Sequence, residues 1–155
     1  MKNFLVILGV ACVALVGADV VQFQPCSYRE PTQTNCTVHE LRINPCAEAA
    51  EGKPCRVKRG TDASIEFDYT TNFAADTLQG RAYWANKLMD VPFLGMETNA
   101  CLSTPCPLKA DTKQTYKMAL HVDTKYPARS FDVKWKLWNQ QEQECCIVFQ
   151  IKLTK

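Results

Sequence analysis

The sequence predicts an all-β fold, a two-layer β-sandwich. Three observations carry it. Short runs alternate apolar and polar side chains, turn residues punctuate them at regular spacing, and the cysteines beyond the first 18 residues are even in number. Alternation over four to eight residues puts every second side chain on one face of an extended chain, the mark of a half-buried strand. Several such one-faced antiparallel strands bury their apolar faces by stacking two sheets.

The elements follow in order. Residues 37–43 form a strand with Leu41 and Ile43 inward. Lys58-Arg59-Gly60-Thr61-Asp62 is a turn. SIEFDYTTNF then places Ile65, Phe67 and Tyr69 on one face, opposite Ser64, Glu66, Asp68 and Thr70. Residues 74–90 are ambiguous between one or two strands and a short helix. Asn99 to Pro107 is a cysteine-pinned loop. YKMALHV groups Tyr116, Met118, Leu120 and Val122 against Lys117, Ala119 and His121. Lys125-Tyr126-Pro127-Ala128 interrupts the strands. SFDVKWKLW sets Phe131, Val133, Trp135 and Leu137 against Asp132, Lys134 and Lys136. Asn139 to Gln143 is a polar hairpin tip. CIVFQIKL aligns Cys145, Ile147, Phe149, Ile151 and Leu153.

The first 18 residues stand apart. MKNFLVILGVACVALVGA carries one cation, Lys2, then an apolar run from Phe4 to Val16 and small residues to Ala18. This is the pattern of a secretory signal peptide, 1–18, followed by one domain, 19–155. The run is about 13 residues, against the roughly 20 of a membrane span. Cys12 leaves with the leader. Cys26, Cys36, Cys46, Cys55, Cys101, Cys106, Cys145 and Cys146 remain. An even set in a secreted domain points to disulfides. Zinc would want paired close hooks, whereas eight residues separate Cys46 from Cys55 and four separate Cys101 from Cys106. No metal or other cofactor is expected.

Without Lys2 the chain carries 17 Lys+Arg, one fewer than the full 18, against 16 Asp+Glu. That balance offers no basic patch for nucleic acid. The nucleophile-elbow, zinc-protease and phosphate-loop motifs are absent, so an enzyme is not expected. His39 and His121 fall on outer strand faces. His121, next to Val122, could act on a ligand only through its charge between pH 5 and 8. Asn35-Cys36-Thr37 is a glycosylation sequon, with Asn35 the acceptor.

The ordered segments VVQFQPC (20–26), INPC…KPC (43–55), VPFLGMETNACLSTPCPL (91–108), LHVDTKYP (120–127) and VKWKL (133–137) resemble the Niemann–Pick type C protein 2 family. Its wider group is the ML, or lipid-recognition, domain, which includes the group-two mite allergens. The resemblance spans 20–155. It implies an immunoglobulin-like sandwich holding a lipid between its sheets, with sterols admitted tail-first. Carried over by match, Phe93, Val122 and Tyr126 line or gate the pocket, Pro127 stiffens the adjoining loop, and Trp135 faces the pocket or core. Val91, Phe67, Met118, Val133 and Phe149 complete the expected lining. LGMETNA (94–100) lacks the prolines of the sterol binders' mouth loop.

The resemblance also implies Cys46–Cys55, Cys101–Cys106 and a bond from Cys26 to one of the last two cysteines. Because Cys145 shares its face with Ile147 and Phe149, it is matched with Cys26. Cys146 is left to Cys36, and a Cys36–Cys145 bond would reverse this. The implied function is a secreted or lysosomal lipid carrier, with cholesterol or a related sterol the leading cargo. Its partners would be the lipid and, transiently, a membrane or a membrane sterol-transfer protein, with the carrier a monomer. Fatty acids, semiochemicals or bacterial envelope lipids are the alternatives. A filled-core adhesion sandwich is the alternative of another class.

Overall fold

The computed structural model describes residues 20–27, 35–86 and 88–155. The leader expected over 1–18 lies outside them. Nine strands run through the described residues: β1 Gln24–Pro25, β2 Cys36–Asn44, β3 Cys55–Lys58, β4 Thr61–Thr71, β5 Gln79–Ala85, β6 Val91–Pro92, β7 Lys113–Val122, β8 Ser130–Trp138 and β9 Glu144–Thr154. They form two sheets. The smaller has the order β2-β4-β7. The larger runs β1-β9-β8-β5-β6, with β3 also paired to β9.

The alternation read from the sequence sets which side chains meet. Ile65, Phe67, Tyr69, Tyr116, Met118 and Val122 of the small sheet face Val133, Trp135, Leu137, Ile147 and Phe149 of the large one, all buried. The ambiguous 74–90 segment resolves into β5 and β6 rather than a helix. β5 pairs along its length with β8, Ala82 opposite Trp135. Gly80 is a close-approach position on β5. A Cβ there would lie 3.0 Å from a Leu137 methyl and 3.5 Å from the Tyr116 hydroxyl. The bare backbone lets that tyrosine reach across the core.

One pairing departs from the purely antiparallel expectation. β3 lies parallel to β9, Cys55 opposite Ile151 and Val57 opposite Leu153. The chain crosses between sheets after β2 through a 3-10 turn at Ala47–Glu51. It therefore joins the edge of β9 from the other sheet rather than by a hairpin. The Cys46–Cys55 disulfide closes this crossover.

The disulfides at the C-terminal doublet correct the expected pairing. Cys36 joins Cys145 and Cys26 joins Cys146, with Cα–Cα distances of 5.2 and 5.4 Å. The reason is sheet membership. β1 is a neighbour of β9 in the same sheet, Pro25 opposite Ile147, and the Cys26 amide donates to the Cys146 carbonyl. Cys26 therefore reaches the residue on the outer side of β9. Cys145, on the inner side, meets the start of β2 in the opposite sheet. Cys36–Cys145 thus joins the two sheets at this end, as Cys46–Cys55 does where the chain leaves β2 for β3. Cys101–Cys106 pins its loop as expected.

The outer face of the small sheet carries an ionic ladder. Arg42 bonds Glu66 at 2.7 Å, Asp68 at 3.1 Å and Glu40 at 2.5 Å, and Lys113 and Lys117 add contacts of 3.2 Å to Asp68 and Glu66. The Arg42 guanidinium holds the Asp68 carboxyl well below the usual carboxylate range. Glu66 is also lowered: desolvation opposes this, but the bonds from Arg42 and Lys117 outweigh it. His39 bonds Thr70 and His121 bonds Asp62, both on this exposed face.

Candidate ligand-binding cavity

Between the sheets, at the end where β7 turns into β8, lies an apolar cavity of about 70 Å³. Interiors normally pack without voids larger than a water, so a hollow here departs from core packing. Five expected lining residues border it: Phe93, Val122, Val133, Trp135 and Phe149. Roomier hollows exist elsewhere, and one of about 480 Å³ has Gln22, Lys53, Asp132 and Gln150 in its lining.

The other expected residues lie elsewhere. Phe67 and Met118 are buried one level further in and do not border the cavity. Val91 is 44% exposed because β6 is a two-residue edge strand with nothing beyond to cover it. Pro127 faces solvent in the β7–β8 loop. Tyr126 does not border the cavity but packs against residues that do. Its ring lies 5.2 Å from Phe93 and 5.3 Å from Trp84.

Sequence reasoning missed Trp84, Tyr83 and Ala82, which line the cavity from β5. They sat in the stretch whose periodicity was ambiguous. Val57 and Ile151 also contribute, brought together by the parallel β3–β9 pair. Trp84 is the hub of the mouth. It contacts Phe93 at 5.4 Å and Phe131 at 4.5 Å as well as Tyr126.

Those rings bridge the seam between β7 and β5 at this end. They do so without covalent help. At the other end the same seam is covered by the loop around Cys101–Cys106. There Lys117 N–H donates to Ser103, Ala100 N–H to Leu78 and Gly80 N–H to Thr98. The Tyr126 loop is held from one side by Arg59, whose guanidinium donates to the Tyr126 carbonyl at 2.6 Å and to that of Thr124 at 3.0 Å. Gly60, at φ 77°, lets the β3–β4 turn place its amide 2.6 Å from the Val122 carbonyl.

Around the mouth several large apolar side chains are exposed: Leu88 at 96%, Leu94 at 71% and Met89 at 67%. Leu88 and Met89 lie between β5 and β6, and Leu94 follows Phe93. Single exposed leucines are ordinary, but a group of them close to an apolar cavity is an uncommon surface feature.

A pocket for a drug-sized ligand spans about 300–1,000 Å³. At about 70 Å³ the cavity is well below that size. A lipid would need the rings at the β7–β5 seam to part, since Cys46–Cys55 holds the β2–β3 side. A non-covalent aromatic seam permits that, whereas a disulfide would not.

Comparison with known proteins agrees with this architecture. An ML domain family model matches residues 20–153. The MD-2-related lipid-recognition protein of Manduca sexta is 37% identical over 92% of this chain and 93% of its own length. The NPC intracellular cholesterol transporter 2 of Sus scrofa is 26% identical over 83% of each. Among solved structures, a Niemann-Pick type C2 protein from Japanese carpenter ant superposes with a TM-score of 0.74, at 20% identity, over 86% of this chain and 99% of that one. Fold, cavity and sequence converge: the chain belongs to the ML domain family of lipid-recognition proteins.

Proposed function

We propose that this protein is a secreted carrier that holds one lipid, with cholesterol or a related sterol the leading cargo, between its two sheets. The observation that carries the reading is an interior apolar cavity whose β7–β5 mouth is closed by aromatic contacts with no covalent bond across it. Burying a few hundred Å² of sterol at about 25 cal/mol per Å² stabilises the complex by several kcal/mol before ordering costs. No charged group or catalytic step is required.

Loading begins when Tyr126, Phe93 and Trp84 part. The tail enters first, and the amphipathic Tyr126 sits beside the wet end of the cargo. Leu88, Met89 and Leu94 insert into a membrane surface or meet a membrane sterol-transfer protein, so that lipid passes without crossing water. The carrier works as a monomer, outside the cell or in the lysosome. A glycan on Asn35 would supply the lysosomal address. Asn35 lies at the far end, its side-chain oxygen accepting from Glu144 N–H, so a glycan there leaves the mouth free.

A second cargo class, fatty acids or bacterial envelope lipids, is favoured by one observation. The relative named for lipid recognition is more similar than the cholesterol transporter, 37% against 26% identical. The test for both is solvent extraction of the purified protein followed by mass spectrometry, with titration by a fluorescent sterol. Co-purified sterol and loss of sterol binding in Phe93→Ala support the first reading. Other lipids in the extract support the second. Protein that retains no lipid and takes up no probe contradicts both and leaves a filled-core interaction module.

A further inference from the structure

At the inner end of the cavity one donor, Trp135 N–H, is unpaired, and just beyond the wall a second, Tyr116 O–H, has only a sulfur acceptor. Trp135, 3% exposed, borders the cavity at the level of Ile65 and Ala82. Its indole N–H has no hydrogen-bond partner. One level further in, Tyr116 is fully buried, its ring edge-on to Trp135 at 5.8 Å. The Tyr116 hydroxyl donates only to the Met118 sulfur, at 3.4 Å. Ser103 and Trp135 are its other polar neighbours, and their weak polar contacts offset part of the effect of burial. Burial pushes the Tyr116 phenol up to about 12, so it stays a donor at physiological pH. Nearly all buried polar groups in proteins find a partner, and a buried N–H left without one is unusual. The other unpaired buried atoms belong to Arg59, Arg81 and Gln114, whose side chains are partly exposed.

Met118 takes the Tyr116 hydroxyl on its sulfur and lies behind the cavity wall. It is the register partner of Ile65 on the neighbouring strand, and Ile65 borders the cavity while Met118 does not. Methionine is unbranched and soft, a side chain that yields to a neighbour more easily than Ile or Val. Its rotation would join the donors to the cavity floor and free the Tyr116 hydroxyl from a weak sulfur acceptor.

We infer that the inner end of the cavity is a polar subsite that takes a hydroxyl or carbonyl oxygen carried on the buried end of the lipid. This rests on the carrier reading and deepens it. One oxygen offers two lone pairs and satisfies Trp135 N–H and Tyr116 O–H together. A wholly apolar pocket would instead reject an oxygenated tail, because the buried hydroxyl would lose its water without compensation. The subsite thus selects among lipids of similar shape by their innermost atoms.

The test uses two pairs of probes: cholesterol with 25-hydroxycholesterol, and palmitic acid with 16-hydroxypalmitic acid. Equilibrium binding is measured for the wild-type protein, Trp135→Phe and Tyr116→Phe. The readout is the affinity ratio within a pair, so a general loss of binding in a variant cancels. The wild type is expected to favour the tail-hydroxylated member by about three- to tenfold, and each variant to shift the ratio about tenfold against it. A wild-type preference for the parent lipid, with a ratio unchanged in both variants, overturns the inference while leaving the carrier reading standing. Failure of all four probes to bind overturns both.

Discussion

The two ends of this sandwich are built from the same alternating strands but closed by different chemistry. At one end Cys36–Cys145 ties sheet to sheet, Cys26–Cys146 ties β1 to β9, and Cys101–Cys106 pins a loop over the seam. The interior there is filled by Tyr69, Tyr116, Leu78, Leu108 and Leu137, each 2% exposed or less. At the other end Cys46–Cys55 closes the β2–β3 side, but the β7–β5 seam is held by Trp84, Phe93, Tyr126 and Phe131 without a covalent bond, and the interior is hollow. Covalent bonds do not stretch to admit a ligand, and ring contacts do. On the proposed function, that difference gives the sandwich a fixed end and a working end.

The largest expected effect comes from the fixed end. Cys36–Cys145 closes a separation of 109 residues and Cys26–Cys146 one of 120. The chain-entropy model gives about 5 kcal/mol for either alone. Nested on adjacent residues, the second bond closes only a short extra loop, so deleting one pair costs about 3 kcal/mol and deleting both about 7–8. Urea unfolding of the Cys26→Ser/Cys146→Ser, Cys36→Ser/Cys145→Ser and fourfold variants measures this. Equal costs that fail to grow in the fourfold variant would show that the doublet is not the clamp described.

Next comes the working end. Val122→Phe should fill the hollow, lowering sterol affinity at least tenfold while changing stability by less than the roughly 1–3 kcal/mol of an overpacked core. Thermal unfolding and probe titration separate the two. A large loss of stability would mean that no usable space exists.

The ionic ladder is smaller in effect. Asp68 is depressed by Arg42, so its contribution is present above its ordinary value of 3.8 and lost as pH falls through the folded value. Arg42→Ala should cost about 1–2 kcal/mol near neutrality, and the difference from wild type should shrink on acidification below pH ~4. Smallest is His121→Ala. The ring pairs with Asp62 on the outer face at 2.7 Å, away from the cavity, so the pH profile of lipid transfer should overlay that of the wild type.

Much of this was legible in the sequence where alternation is strict. β4, β7, β8 and β9 announce their inward faces, and five cavity residues follow from them and from the family resemblance. What stayed hidden depends on how strands are ordered. The partners of Cys145 and Cys146 turn on whether β1 joins the sheet of β9 or the opposite one, which no spacing reveals. Trp84 lay in RAYWANKL, where period and propensity disagree. Val57 enters the site through a parallel pairing that local pattern does not encode. Val91 and Pro127 sit beside the mouth by sequence but face water, since a short edge strand and an exposed loop bury little.

The most direct test of the working-end account is hydrogen exchange on lipid-extracted and cholesterol-loaded protein. The account predicts that loading slows exchange at the β7–β8 loop around Tyr126, at β6 and at the end of β5. Amides of β2 near Cys36 and of β9 near Cys145 should be slow and equal in both states. Protection that appears at the disulfide end, or no change at the aromatic mouth on loading, would contradict it.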